Sequence, residues 1–69
     1  MQRFVVCISN RGCDDLELRK LYPVVSEEQR GEEGYLRVVD ESGGDYLYPA
    51  KNFAAVELSE DAVAALQTV

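Results

Sequence analysis

The chain contains no histidine and no tryptophan among its 69 residues. Without histidine it lacks the side chain that most often serves as general base, metal ligand or switch near neutral pH, and a Ser-His-Asp triad in its usual form is excluded. Ser9, Ser26, Ser42 and Ser59 fall at loops or element ends, where a hydroxyl caps backbone groups. Cysteine is also scarce: two residues are too few for the disulfide framework of a small secreted domain. Cys7 stands among apolar neighbours and reads as core, whereas Cys13 lies in a polar loop directly before Asp14 and Asp15. A reactive thiolate needs positive surroundings, so that setting speaks against a redox or nucleophilic role. Nor is there a long hydrophobic run: Phe4–Ile8 is too short for a signal peptide's apolar region or a membrane span. These absences predict an intracellular, cytoplasmic protein.

Positive charge is likewise sparse, with seven basic against thirteen acidic residues and a net charge of −6. Arg3, Arg11, Arg19, Lys20, Arg30, Arg37 and Lys51 are scattered along the chain. Nucleic-acid binding depends on concentrated Lys and Arg that displace counterions, so that class is disfavoured, as are anionic membrane surfaces. The acids come in pairs, Asp14/Asp15, Glu27/Glu28, Glu32/Glu33 and Asp40/Glu41. Sequence neighbours do not face one another across a substrate, so they read as a solvated rim rather than a glycosidase pair. Asp40, Ser42 and Asp45 around two glycines lack the spacing of a calcium loop and read as a turn. The expectation is no catalytic residue, no cofactor and no metal.

What is present is β-forming sequence. A chain this short buries only about 60% of its unfolded surface, so its one domain has a thin core. Phe4 to Ile8, within Arg3–Ser9, is bounded and rich in β-branched residues, which predicts a strand buried on both faces. Asn10-Arg11-Gly12 begins a polar loop that Leu16 and Leu18 pin to the core. Lys20–Ser26 predicts a second strand that lies at an edge or bulges at Pro23, which cannot donate a ladder hydrogen bond. Glu27–Gly34 reads as a charged loop.

Tyr35–Pro49 then reads as a hairpin turning at Gly43 and Gly44, both placed where a tight connection needs positive φ. A 3₁₀ turn over Ala50–Phe53 and a fifth strand, Ala54–Leu58, follow. Ser59, with Glu60 and Asp61 behind it, begins a short amphipathic helix running to Thr68. Tyr46 and Tyr48 share a face opposite Leu47. Either Leu47 faces the core, and both tyrosines lie exposed beside Tyr35, or the tyrosines face in with their hydroxyls at the margin.

This order of elements resembles a Src-homology-3-type barrel. Asp14-Asp15-Leu16-Glu17-Leu18-Arg19-Lys20 resembles the acidic-apolar end of that family's first long loop, and Tyr48-Pro49-Ala50-Lys51-Asn52-Phe53 its proline, 3₁₀ turn and aromatic. The resemblance covers about residues 4–58. It implies a mainly β fold with a five-stranded barrel over about 3–58, to which the helix over about 59–68 is an addition within one domain of residues 1–69. The family's tryptophan wall and first-strand aromatic pair are missing, with Tyr35 nearest in order to the absent tryptophan, so proline-rich ligands are not implied. Gly34–Phe53 is also similar to short bacterial and phage-encoded proteins that imply no activity.

The resulting expectation is a non-enzymatic module binding a basic or apolar protein segment. Tyr35, Tyr46, Tyr48, Pro49 and Phe53 supply the contact, and Asp14, Asp15 and Glu17 an acidic rim. The rivals are a self-associating accessory subunit, with a homodimer through the Pro23 edge or the helix, and an acidic decoy of phage or plasmid origin that imitates nucleic acid.

Overall fold

β-branched and aromatic residues gather where the strands form, and Gly, Asn and Asp mark where the chain turns. The computed structural model describes residues 2–67. Its elements are β1 (Phe4–Cys7), β2 (Leu21–Arg30), β3 (Glu33–Val39), β4 (Asp45–Pro49), a 3₁₀ turn (Ala50–Asn52), β5 (Phe53–Ala55) and α1 (Glu60–Gln67). The fold is mainly β. All five strands pair antiparallel in one sheet of order β4-β3-β2-β1-β5. β4 and β5 form its two margins and do not pair with each other, so among the described residues the sheet stays open instead of closing as a barrel.

β2 differs most from expectation. It runs on through Glu27–Arg30, where the charge pattern reads as a loop, and turns tightly at Gly31 (φ 65°) with Arg30 opposite Glu33. Glycine reaches that backbone conformation at little cost. The extension carries no apolar residue, so hydrophobic alternation cannot reveal it. Cross-strand ion pairing helps to hold it, with Arg37 3.7 Å from Glu28. Leu21–Pro23 pair with β1 and Val24–Arg30 with β3, and a register shift between Val24 and Ser26 marks a bulge. Pro23 thus sits where the strand changes partner, and its missing N–H interrupts neither ladder midway.

Register assigns the faces, since successive side chains alternate. Val5 opposes Tyr22, Cys7 opposes Phe53, and Val24 opposes Val38. Leu36 opposes Tyr48. These residues share the inner face, where Val5, Cys7, Tyr22, Leu36, Val38 and Phe53 join Leu16 from the first loop in one buried cluster. Phe4, on the other face of β1, is buried outside that cluster, as is Val63 of α1. β1 is therefore buried on both faces, as its apolar run predicts.

Leu16 is 2% exposed and plugs the core, whereas Leu18 is 46% exposed and does not. β5 is shorter and earlier than expected, because Phe53 completes the ladder with Cys7. In the β3–β4 turn only Gly43 takes positive φ (86°); Gly44 is limited instead by the Tyr46 ring, 3.1 Å from where a Cβ would stand. At α1 the Ser59 Oγ accepts the Ala62 N–H at 3.1 Å, and Glu60 and Asp61 fill the first turn, a favourable N-terminus. The expected end of the helix at Thr68 lies outside the described residues. No described helix is long and apolar enough to cross a membrane.

Candidate functional site

Three groups of polar and aromatic side chains stand out, and they divide the expected contact patch. The first is the β3–β4 turn. Asp40, 6% exposed, accepts hydrogen bonds on Oδ1 from the Ser42 N–H (2.9 Å) and hydroxyl (2.5 Å), and on Oδ2 from the Tyr48 hydroxyl (2.5 Å). Burial disfavours the Asp40 charge, but the hydrogen bonds from Ser42 and Tyr48 outweigh it and hold the carboxyl below the usual range. Burial and then the Asp40 carboxylate raise the Tyr48 phenol above its ordinary value. Tyr48 also packs edge-on against Phe53 with ring centres 6.3 Å apart.

Beside it, the first loop is tied to the same turn. The Tyr22 hydroxyl donates to Glu41 Oε2 at 2.6 Å and accepts the Glu17 N–H at 2.7 Å. Lys20 Nζ lies 2.8 Å from Glu41 and 3.3 Å from Glu17, and the Glu41 N–H donates to the Asp15 carbonyl at 3.0 Å. Hydrogen bonds from Lys20 and then Tyr22 hold Glu41 below its ordinary range. Burial, then the bond to Glu41, pushes Tyr22 up to about 12. This junction is an architectural lock between loop and hairpin.

A pH dependence follows from these shifts. Asp40 and Glu41 are depressed in the fold, so their stabilisation is complete above the ordinary carboxylate range near about 4 and is lost as pH falls through the depressed values. Tyr22 is raised to about 12, so its stabilisation is complete below the ordinary phenol value of about 10 and is lost as pH rises toward the folded value. The urea midpoint should fall at both extremes, and Tyr22→Phe should remove one late phenolate transition in absorbance. Ionisation of Tyr22 with no lag beyond about pH 10 would contradict this assignment.

The second group corrects the single patch expected of Tyr35, Tyr46 and Tyr48. Tyr46 opposes Val38 and Tyr48 opposes Leu36 on the inner face, whereas Tyr35 opposes Pro49 on the outer one. Tyr48 follows the inward alternative, half-buried with its hydroxyl at the margin; Tyr46 points to the same face but is 55% exposed at the sheet's end. Phe53, 7% exposed, belongs to the core rather than to a contact surface. Tyr35 is half-buried beneath Arg30, whose guanidinium carbon is 5.9 Å from the ring centre. Arg30, Glu28, Arg37 and Asp45 make a ladder of ion pairs on that face. Asp14 and Asp15 are exposed and make no ion pair among the described residues.

The third group is a groove of about 370 Å³ lined by Glu27, Glu28, Gln29, Gly34, Tyr35, Leu36 and Ala50. It lies between the end of the β2–β3 hairpin and the 3₁₀ turn. Register puts Glu27 opposite Leu36 and Gln29 opposite Gly34, so these four side-chain positions share the inner face. Gly34 opens the floor: a Cβ there would stand 3.5 Å from Gln29 Oε1 and 3.7 Å from the Ala50 Cβ. At the rim Glu27 pairs with Arg3 at 2.8 Å. Of the expected contact residues only Tyr35 lines this groove. Glu27, Glu28 and Gln29 were not legible as part of a site because their segment does not read as a strand.

Among the described residues no three His, Cys, Asp or Glu side chains gather to hold a metal. Both cysteines are free, with Cys7 buried and Cys13 partly so. No family model, curated protein or solved structure matches the chain.

Proposed function

We propose that this chain is a non-enzymatic interaction module on a half-open barrel of Src-homology-3 type, and that its groove takes a short protein segment bearing an apolar and a basic side chain. The strand order supports the barrel reading, with β2 shared by two partners and a 3₁₀ turn between β4 and β5. The observation that carries the binding reading is the groove itself, which joins an apolar floor at Leu36 and Ala50 to the Glu27 carboxylate and the Gln29 amide. An aliphatic side chain fits the floor, a lysine or arginine competes with Arg3 for Glu27, and backbone amides answer Gln29. The net charge of −6 attracts such a segment at long range and makes its capture weaken with salt.

Gly34→Ala is the cleanest probe. Gly34 is not at positive φ and the added methyl meets only ordinary contacts, so the fold is kept while the groove floor rises. On an array of basic-apolar peptides, the variant should bind at least about tenfold more weakly than wild type, a loss of about 1.4 kcal/mol. Glu27→Gln should weaken binding of lysine- or arginine-bearing peptides and lower their salt dependence, the rest of which comes from the remaining net charge. An array with no binder, or equal binding by Gly34→Ala, would overturn the reading.

A further inference from the structure

We propose that the free margin of β4 pairs antiparallel with β4 of a second copy, about a two-fold axis through Leu47. This inference is independent of the groove. β4 ends the sheet order and, among the described residues, has a ladder partner only on its β3 side. The Asp40 N–H donates to the Gly44 carbonyl at 3.0 Å, and bonded pairs alternate along an antiparallel ladder. Tyr46 and Tyr48 therefore spend their backbone groups on β3, while Asp45 and Leu47 direct theirs toward the open margin, and the carbonyl of Pro49, the N-cap residue of the 3₁₀ turn, serves that turn. The missing N–H of Pro49 falls on that free side, where no existing bond needs it.

The occupant follows from the margin's own pattern. Asp45-Tyr46-Leu47-Tyr48-Pro49 is nearly symmetric about its centre, and reversing it sets Leu47 against Leu47 and Tyr46 against Tyr48. In that register the two Leu47 residues exchange both backbone hydrogen bonds at the centre of the pairing. Edge strands commonly use charge and proline to prevent such pairing. Here the one charge, Asp45, is drawn back along the sheet by Arg37 at 3.4 Å, and Tyr46 stands 55% exposed at the margin. The same patch thus serves both copies, as a two-fold interface requires.

A five-residue edge makes a small interface, so the dimer forms at high protein concentration. Sedimentation equilibrium of the full chain across a concentration series, at low and high salt, tests it. Dimerisation should strengthen with salt, because each copy carries −6 and screening relieves the repulsion. Leu47→Lys puts like charges directly opposite and should weaken dimerisation at least about tenfold. Amide exchange supplies a reading that needs no variant: the Leu47 N–H of wild type should become protected as concentration rises. A monomer at every concentration, a dimer that Leu47→Lys leaves intact, or a dimer with Leu47 exchange unchanged would each overturn the proposal.

Discussion

Leu16→Ala should leave the protein largely unfolded at room temperature. Leu16 is 2% exposed and is among the largest fully buried side chains, yet it comes from a loop and not from the sheet. Emptying a buried leucine site costs about 2–5 kcal/mol, and a domain of this size usually has only about 3–5 kcal/mol to lose. The loop has no second plug of comparable size, since Leu18 is exposed and Cys13 only packs partly against the cluster. Leu18→Ala is therefore the matched control and should shift the urea midpoint hardly at all. A Leu16→Ala protein with a wild-type midpoint would mean that the loop docks through its polar bonds alone.

Asp40→Ala is the second large effect. It leaves the Ser42 N–H, the Ser42 hydroxyl and the Tyr48 hydroxyl without their acceptor at a half-buried turn. Hydrogen bonds to a charged group contribute about 1.5–3 kcal/mol each, but they are coupled here, so a loss of about 2–4 kcal/mol is expected. Tyr48→Phe should cost less, because Ser42 keeps Asp40 partnered. The double variant should then cost less than the sum of the two, measured by urea unfolding as a double-mutant cycle. Strict additivity would separate Tyr48 from the turn. Asp40→Ala should also soften the acid limb of the stability profile, because the depressed Asp40 carboxyl contributes to it.

The parts of this fold that were legible are those where apolar residues mark the inside. Phe4–Ile8 and the Tyr35–Pro49 hairpin are of that kind, and the serine start of the helix was legible from its capping chemistry. The rest depends on long-range partners. Glu27–Arg30 becomes strand because β3 lies beside it, which its own charged residues do not reveal. Leu16 and Leu18 carry equal hydrophobicity, and only the path of the loop decides which one enters the core. Tyr46 and Tyr48 were assignable to a common face by alternation, but their separation from Tyr35 needs the β3–β4 register. The groove was hidden for the same reason as the end of β2, and Gly34, its floor, reads in isolation as one more loop glycine.

The pairing of β1 with β5 has a consequence for how such a unit can be carried. Val5 stands opposite Ala55, so the path into the sheet and the path out of it meet at one corner, while β4 occupies the opposite margin. Neighbouring entry and exit points are what allow a domain to be spliced into a loop of a host protein or permuted around its ends. On the exit side the graft would run through α1, on the entry side the Arg3–Glu27 pair would set the groove's rim beside the stem, and the β4 margin would stand away from both.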